Sequence, residues 1–247
     1  RVVTASSDGL AQAWDARSGV KRGESLRHRA EVCSAQFSPD GRHILTASAD
    51  KSVRLWDTFP GGALPQTLSQ APGCSARFNA SGSRVVTASK DCSARVWDSR
   101  NGQPLTESMR HPSVVTSAGF SPDERRIMTV CSDFTARIWD AQTGALVAGP
   151  MAHTNIIHMA RFNPDGSRLI TASSDNTAMV WDASTGKPAL EPLRHAGWIY
   201  AATFSPDGGT ILTGSDDGTA GIWDARTGQL LRKVSHSKPI RSAEFNH

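Results

Sequence analysis

The dipeptide Trp-Asp occurs six times, at Trp14-Asp15, Trp56-Asp57, Trp97-Asp98, Trp139-Asp140, Trp181-Asp182 and Trp223-Asp224, with spacings of 42, 41, 42, 42 and 42 residues. A fixed period near 42 that closes on Trp-Asp is a signature of stacked four-stranded units. Such units bury their faces against their neighbours, so the period constrains the fold more than any local propensity does.

The units align well beyond the dipeptide. Each carries an Ala two residues before a Phe, as in Ala35 and Phe37 or Ala160 and Phe162. A turn such as Ser38-Pro39-Asp40-Gly41 or Asn163-Pro164-Asp165-Gly166 follows, then a strand-like run such as Ile44-Leu45-Thr46-Ala47-Ser48. An Asp always stands six residues before the Trp: Asp8, Asp50, Asp91, Asp133, Asp175 and Asp217.

These motifs resemble the WD-repeat family of β-propellers over essentially the whole chain. The strings Phe-Ser-Pro-Asp-Gly and Thr-Ala-Arg-x-Trp-Asp look most like WD-repeat arrays of large bacterial multidomain proteins. The family often has Gly before its repeat His, whereas this chain has Arg27-His28, Arg110-His111, Ala152-His153, Arg194-His195 and Ser235-His236. The expected fold is all-β: a six-bladed β-propeller of four-stranded antiparallel blades, one domain over 1–247.

Each unit reads as four short strands separated by turn signals. In the second blade they are expected near Val32–Phe37 and His43–Ser48, in a run ending at Trp56, and near Leu64–Leu68. Blades are expected at about 1–28 plus 238–247, 29–70, 71–111, 112–153, 154–195 and 196–237. The chain opens on a second strand, Arg1–Ser6, and closes on a first strand, Ile240–Phe245. Pairing of that C-terminal strand with the N-terminal blade would close the ring and cover two sheet edges. A seventh blade outside these residues is the competing reading. Arg1 falls inside a repeat, so the natural start is not in view.

Composition narrows the function classes. Basic residues number 27 and acidic 23, a net charge of +4, with Arg spread across all units. Nucleic-acid binders concentrate charge on one face, so a nucleic-acid partner is not expected. No apolar run reaches membrane-spanning length. Cys33, Cys74, Cys92 and Cys131 lack metal-ligand spacing, which points to free thiols and a cytoplasmic setting. Asp216-Asp217-Gly218-Thr219 and Asp8-Gly9 read as hairpin turns, not metal sites. No phosphate loop or nucleophile elbow is present, so no cofactor is expected.

Ser, His and Asp recur together and invite a hydrolase reading, but a catalytic site needs one constellation in one cleft, not a copy per blade. The family resemblance implies instead structural tetrads: His236-Ser6-Asp8-Trp14, His28-Ser48-Asp50-Trp56, His153-Ser173-Asp175-Trp181 and His195-Ser215-Asp217-Trp223. The fourth blade offers His111, Asp133 and Trp139 with Cys131 in place of Ser. The third offers Ser89, Asp91 and Trp97, with Gln70 or Ser69 where His belongs. Arg54, Arg95 and Arg137, two residues before the Trp, are expected to pack their stems and solvate their heads.

Function should reside where the repeat is broken. Three residues after the His stand Glu31, Val114, Ile156, Trp198 and Pro239. Just before the Asp stand Ser7, Ala49, Lys90, Ser132, Ser174 and Asp216. The resemblance implies that both sets lie on the top face, at the channel mouth. Trp198 is the single Trp outside the repeat position, and Tyr200 is the single Tyr. Exposed aromatics with apolar neighbours mark binding surfaces. The alternative is that Trp198 merely caps its strand. The expected role is a non-catalytic module that binds a protein, a peptide or another part of a longer parent chain through Trp198, Ile156, Val114, Glu31, Pro239, Lys90 and Asp216. An enzyme using the channel and a self-associating structural array are the alternatives.

Overall fold

The structure, a computed structural model, describes residues 1–58, 63–69 and 73–246. Among them the strands form six antiparallel sheets, five of four strands and the first of three, with no helix. The second blade is Val32–Phe37, His43–Ser48, Val53–Asp57 and Ala63–Ser69, paired in sequence order. Its second strand pairs His43 with Asp57 and Ile44 with Trp56, so the repeat Trp lies opposite an apolar residue.

The turns follow from side-chain chemistry. Asp50 Oδ1 accepts the amide of Ser52 at 3.0 Å, and the residue between them, Lys51, takes a φ of 74°. Two other blades place Gly9 and Gly218 at that left-handed position, where glycine carries no Cβ penalty. The Asp of Trp-Asp also caps a turn. Asp182 Oδ1 accepts the amides of Ser184 and Thr185 at 2.9 and 2.8 Å, which leads the chain out of the third strand.

By contact the chain divides into two compact units, Arg1–Phe120 with Ala141–Ala145 and Ser121–Asp140 with Leu146–His247. The division runs through the fourth blade rather than between blades. In the first unit, Leu45, Val53, Leu55 and Leu68 of the second blade pack on Ala76, Phe78 and Val85 of the third. In the second unit, Ile170, Ala172, Val180 and Leu193 of the fifth blade pack on Ile199, Phe204, Ile211 and Trp223 of the sixth. Burying each Leu or Ile contributes about 1.5–3 kcal/mol. Second strands are buried on both faces because blades flank them on both sides: all of Ile44–Ser48 and Leu169–Ser173 is buried.

The first sheet consists of Val2–Ala5, Leu10–Trp14 and Lys21–Arg27. Its expected fourth member near Ile240–Phe245 is not a strand, because residues 236–246 carry none. Pro239 has no amide to donate. The segment instead follows the sixth blade. Ile240 N donates to Ser215 O at 2.9 Å, just as Val32 N donates to Ser6 O at 3.0 Å. It therefore keeps the phase of a first strand against the blade before it. Gly214 permits that approach: a Cβ there would lie 2.9 Å from Ile240 Cγ2 and 3.5 Å from Ala243 Cβ.

Candidate functional site

In the second, fifth and sixth blades the repeat His, Asp and Trp are brought together through a hydroxyl that sequence reasoning did not choose. In the second blade His28 Nδ1 lies 3.0 Å from Asp50 Oδ2, and His28 Nε2 lies 2.7 Å from Thr46 Oγ1. Trp56 Nε1 donates to the same Thr46 Oγ1 at 2.7 Å. The fifth blade repeats this with His153, Asp175, Thr171 and Trp181 at 2.7, 2.7 and 2.8 Å. The sixth does so with His195, Asp217, Thr213 and Trp223 at 3.3, 2.8 and 2.8 Å.

Donor and acceptor counting fixes the polarity. Burial pushes each of these histidines below the ordinary 6.5, so the rings are neutral near pH 7. A neutral ring that donates from Nδ1 to the carboxylate must accept at Nε2. The Thr hydroxyl supplies that proton while accepting from the indole. A directed chain results, Trp to Thr to His to Asp. Desolvation raises the Asp50 carboxyl, but hydrogen bonds from Ser52, the Arg29 amide and His28 outweigh it and hold the group below 3.8. This run of hydrogen bonds ties a loop to two strands.

The expected serines stand elsewhere. Ser48, Ser173 and Ser215 donate to the carbonyls of Ala30, Asn155 and Gly197 at 3.1, 3.1 and 3.0 Å. They pin the loop backbone beside the network rather than join it. The reason is reach: Thr46 and Ser48 share one face of the strand, but only Thr46 lies within hydrogen-bond distance of both rings. A signal existed, since Thr4, Thr46, Thr87, Thr129, Thr171 and Thr213 all stand ten residues before the Trp, whereas Ser fails in the fourth blade.

The other blades keep the Trp–Thr bond. Trp14 donates to Thr4, Trp97 to Thr87 and Trp139 to Thr129, at 2.9, 2.9 and 2.8 Å. In the first blade Asp8 accepts the Leu10 amide and Ser6 accepts the Asp8 amide. Its expected histidine, His236, lies exposed in the other unit and donates its amide to Gly218 O. In the third blade Ser89 accepts the Asp91 amide and Asp91 accepts Ser93, while Gln70 and the Ser69 side chain lie outside the described residues. In the fourth, Asp133 accepts Thr135 and Arg137, and His111 is buried in the first unit.

The arginines before the Trp are less free than expected. Arg54 and Arg95 lie over the rings of Trp56 and Trp97 at 5.8 and 5.5 Å. Arg54 and Arg137 pair with Asp50 and Asp133 at 3.6 and 3.2 Å, so their heads reach back to the turn.

The residues that break the repeat fall in both units. Val114, Glu31 and Lys90 belong to the first, where Val114 is half-buried and the other two are exposed. Trp198, Ile156, Pro239 and Asp216 belong to the second. Trp198 and Ile156 keep 50% and 51% of their surface exposed, whereas Trp181 keeps 5%. The Trp198 carbonyl accepts the Asp216 amide at 2.7 Å, and its side chain stands edge-on to Tyr200 at 6.4 Å. Tyr200 in turn contacts His158, with ring centroids 4.8 Å apart, and lies under Arg241, whose guanidinium carbon is 4.0 Å from the ring centre. His158 Nε2 is 2.6 Å from Ser174 Oγ, and Arg241 lies 3.6 Å from Asp216. Sequence reasoning found Trp198, Tyr200 and Asp216 but missed His158 and Arg241. Both could have been found by phase, since His158, Tyr200 and Arg241 each stand two residues after a position already singled out.

Comparison with known proteins agrees with this architecture. The family model described as WD domain, G-beta repeat matches residues 22–57, 67–98, 102–140, 146–182 and 187–224. WD repeat-containing protein 1 of Mus musculus is 38% identical over 74 residues, 26% of this chain and 12% of that protein. Nuclear distribution protein PAC1-2 of Uncinocarpus reesii is 36% identical over 70 residues, 28% of this chain and 15% of the relative. Apoptotic protease-activating factor 1 of Danio rerio is 37% identical over 57 residues, 23% of this chain and 4% of the relative. Each alignment thus spans a small part of the relative's length.

Proposed function

This chain belongs to the WD-repeat family, and we propose that it is an interaction module whose partner, a protein or peptide, docks on the cluster around Trp198. WD-repeat proteins are typically non-catalytic scaffolds and generally bind other proteins. The polar chemistry of the repeats supports the same reading here: the His and Asp groups of the second, fifth and sixth networks are spent on Thr, Ser and backbone partners of the repeats. The observation that carries the proposal is the half-exposed Trp198 set edge-on to Tyr200. An aromatic held this way presents large contact area at low entropic cost, and truncating such an anchor removes about 2 kcal/mol or more of binding.

The test compares proteins captured by the wild type, Trp198→Ala and Asp165→Ala. Asp165 serves its own turn by accepting the Ser167 amide at 2.7 Å, so its loss should leave the captured set unchanged. Trp198→Ala should lose that set while melting close to the wild type. Equal capture by all three proteins would remove the rim from the proposal.

A further inference from the structure

The rim cluster holds an exposed cation in a preorganised pose. The Arg241 side chain is 64% exposed, yet its guanidinium carbon sits over Tyr200, 4.0 Å from the ring centre. An exposed guanidinium held at an aromatic ring keeps N–H groups for a ligand, and its planar fork matches a carboxylate or phosphate. The Asp216 carboxylate, 39% exposed and 3.6 Å away, is beyond hydrogen-bond distance, so its hold on Arg241 is weak and solvent-screened. The neighbouring Asp217 does not compete: its oxygens are taken by Thr219, the Ala196 amide and His195. Exposed Lys238 adds a second positive charge three residues before Arg241. An apolar wall stands beside the cation, formed by Trp198 and Tyr200, and His158 also contacts the tyrosine.

Resting on the interaction reading and refining it, we infer that the docked segment is an acidic peptide. Its carboxylate pairs with Arg241 while an adjacent aliphatic or aromatic side chain packs on Trp198. Arg241 sets the specificity, because an anion gains the fork that Asp216 holds only loosely. A basic segment would meet Arg241 and Lys238 and be repelled. Asp216 is therefore an internal competitor: it lowers affinity for the acidic partner and keeps the arginine partly neutralised when the rim is empty.

A random dodecapeptide display library selected on the whole protein provides the test. Recovered peptides should be rich in Asp or Glu beside an apolar residue. Recovery of Lys- and Arg-rich peptides, or of peptides with no charge bias, overturns the inference. With the leading peptide in synthetic form, Arg241→Gln should weaken binding about tenfold or more, the scale of a charge-assisted hydrogen bond. Asp216→Asn should tighten it severalfold and steepen its dependence on salt. If Trp198→Ala abolishes binding while Arg241→Gln and Asp216→Asn leave it unchanged, the rim stands as the docking site and the acidic partner falls. If Trp198→Ala binds as the wild type does, the rim itself falls. Replacing the peptide's acidic residue with phosphoserine separates the two sources of anion: tighter binding assigns phosphate, and weaker binding assigns carboxylate.

Discussion

His153, in the loop that leads into the fifth blade, and His158, on that blade's first strand, each have an aromatic ring and a hydroxyl for company, yet their surroundings divide the molecule's two kinds of polar chemistry. The His153 side chain is 1% exposed, and its partners Asp175, Thr171 and Trp181 all belong to the fifth blade. The His158 ring is exposed, and its neighbours Tyr200 and Arg241 come from the next blade and from the segment beyond it. The first set is saturated by the repeat itself, so it can only hold the blade together. The second is assembled from one residue per blade at matched phase and ends in an exposed guanidinium. Repetition produces framework, and its interruption produces a site.

The comparison breaks if the two tryptophans behave alike. Trp181→Ala removes a 5% exposed ring packed between blades, and it should cost about 3–5 kcal/mol in denaturant unfolding. A loss as small as that of a surface substitution would deny Trp181 its core role.

Thr171→Val sharpens the account at the level of one hydroxyl. It leaves the indole N–H of Trp181 and Nε2 of His153 facing an apolar group, at a cost of about 1–3 kcal/mol. Thr87→Val should cost less, because the third blade has no His among the residues expected at its tetrad. Equal costs would show that the Trp–Thr bond matters and the histidine does not.

Acid should affect the first region selectively. His28, His153 and His195 are held below 6.5, chiefly by burial, so the unfolded chain takes up their protons first. Stability therefore declines as pH falls below about 6.5, the side on which the unfolded state binds more protons. Asp175 and Asp217 are also held low: burial raises them, but hydrogen bonds from Thr177 and Thr219 prevail. Their stabilisation persists above 3.8 and is lost as pH falls further. Melting temperature followed from pH 8 to 3 should drop in these two stages, and His153→Gln should flatten the first. An unchanged first stage in that variant would contradict the burial of a neutral ring.

The smallest effect is expected at Trp198→Ala, which should shift stability by about 0.5 kcal/mol or less because half of the ring is already in water. A drop of several kcal/mol would place Trp198 with the framework.

The strands were legible because the units repeat a Phe, a turn, a Thr ten residues before the Trp, and Trp-Asp at a fixed period. The His, Asp and Trp of the networks were legible by family pattern. The bridging hydroxyl was not, because period-2 alternation puts Thr46 and Ser48 on one face and leaves the choice to distances of a few tenths of an ångström. The first strand of the first blade was inferred from phase alone, and the segment 240–245 keeps that phase against the sixth blade. His158 and Arg241 escaped because their significance lies in contacts between blades, which single-unit alignment does not display.

Gly214 carries a consequence for anyone who would improve this protein by averaging its repeats. The corresponding residues elsewhere are Ala5, Ala47, Ala88, Val130 and Ala172, so a consensus would write alanine at 214. By strand propensity that exchange is a gain, since glycine in a strand costs entropy. Here the added methyl would lie 2.9 Å from Ile240 Cγ2, and the displaced backbone is the one that carries Arg241 one residue later. The majority residue would thus be the wrong one: a vote among the blades would erase a vacancy of one methyl group that seats the chain's final segment and, with it, the charged edge of the rim.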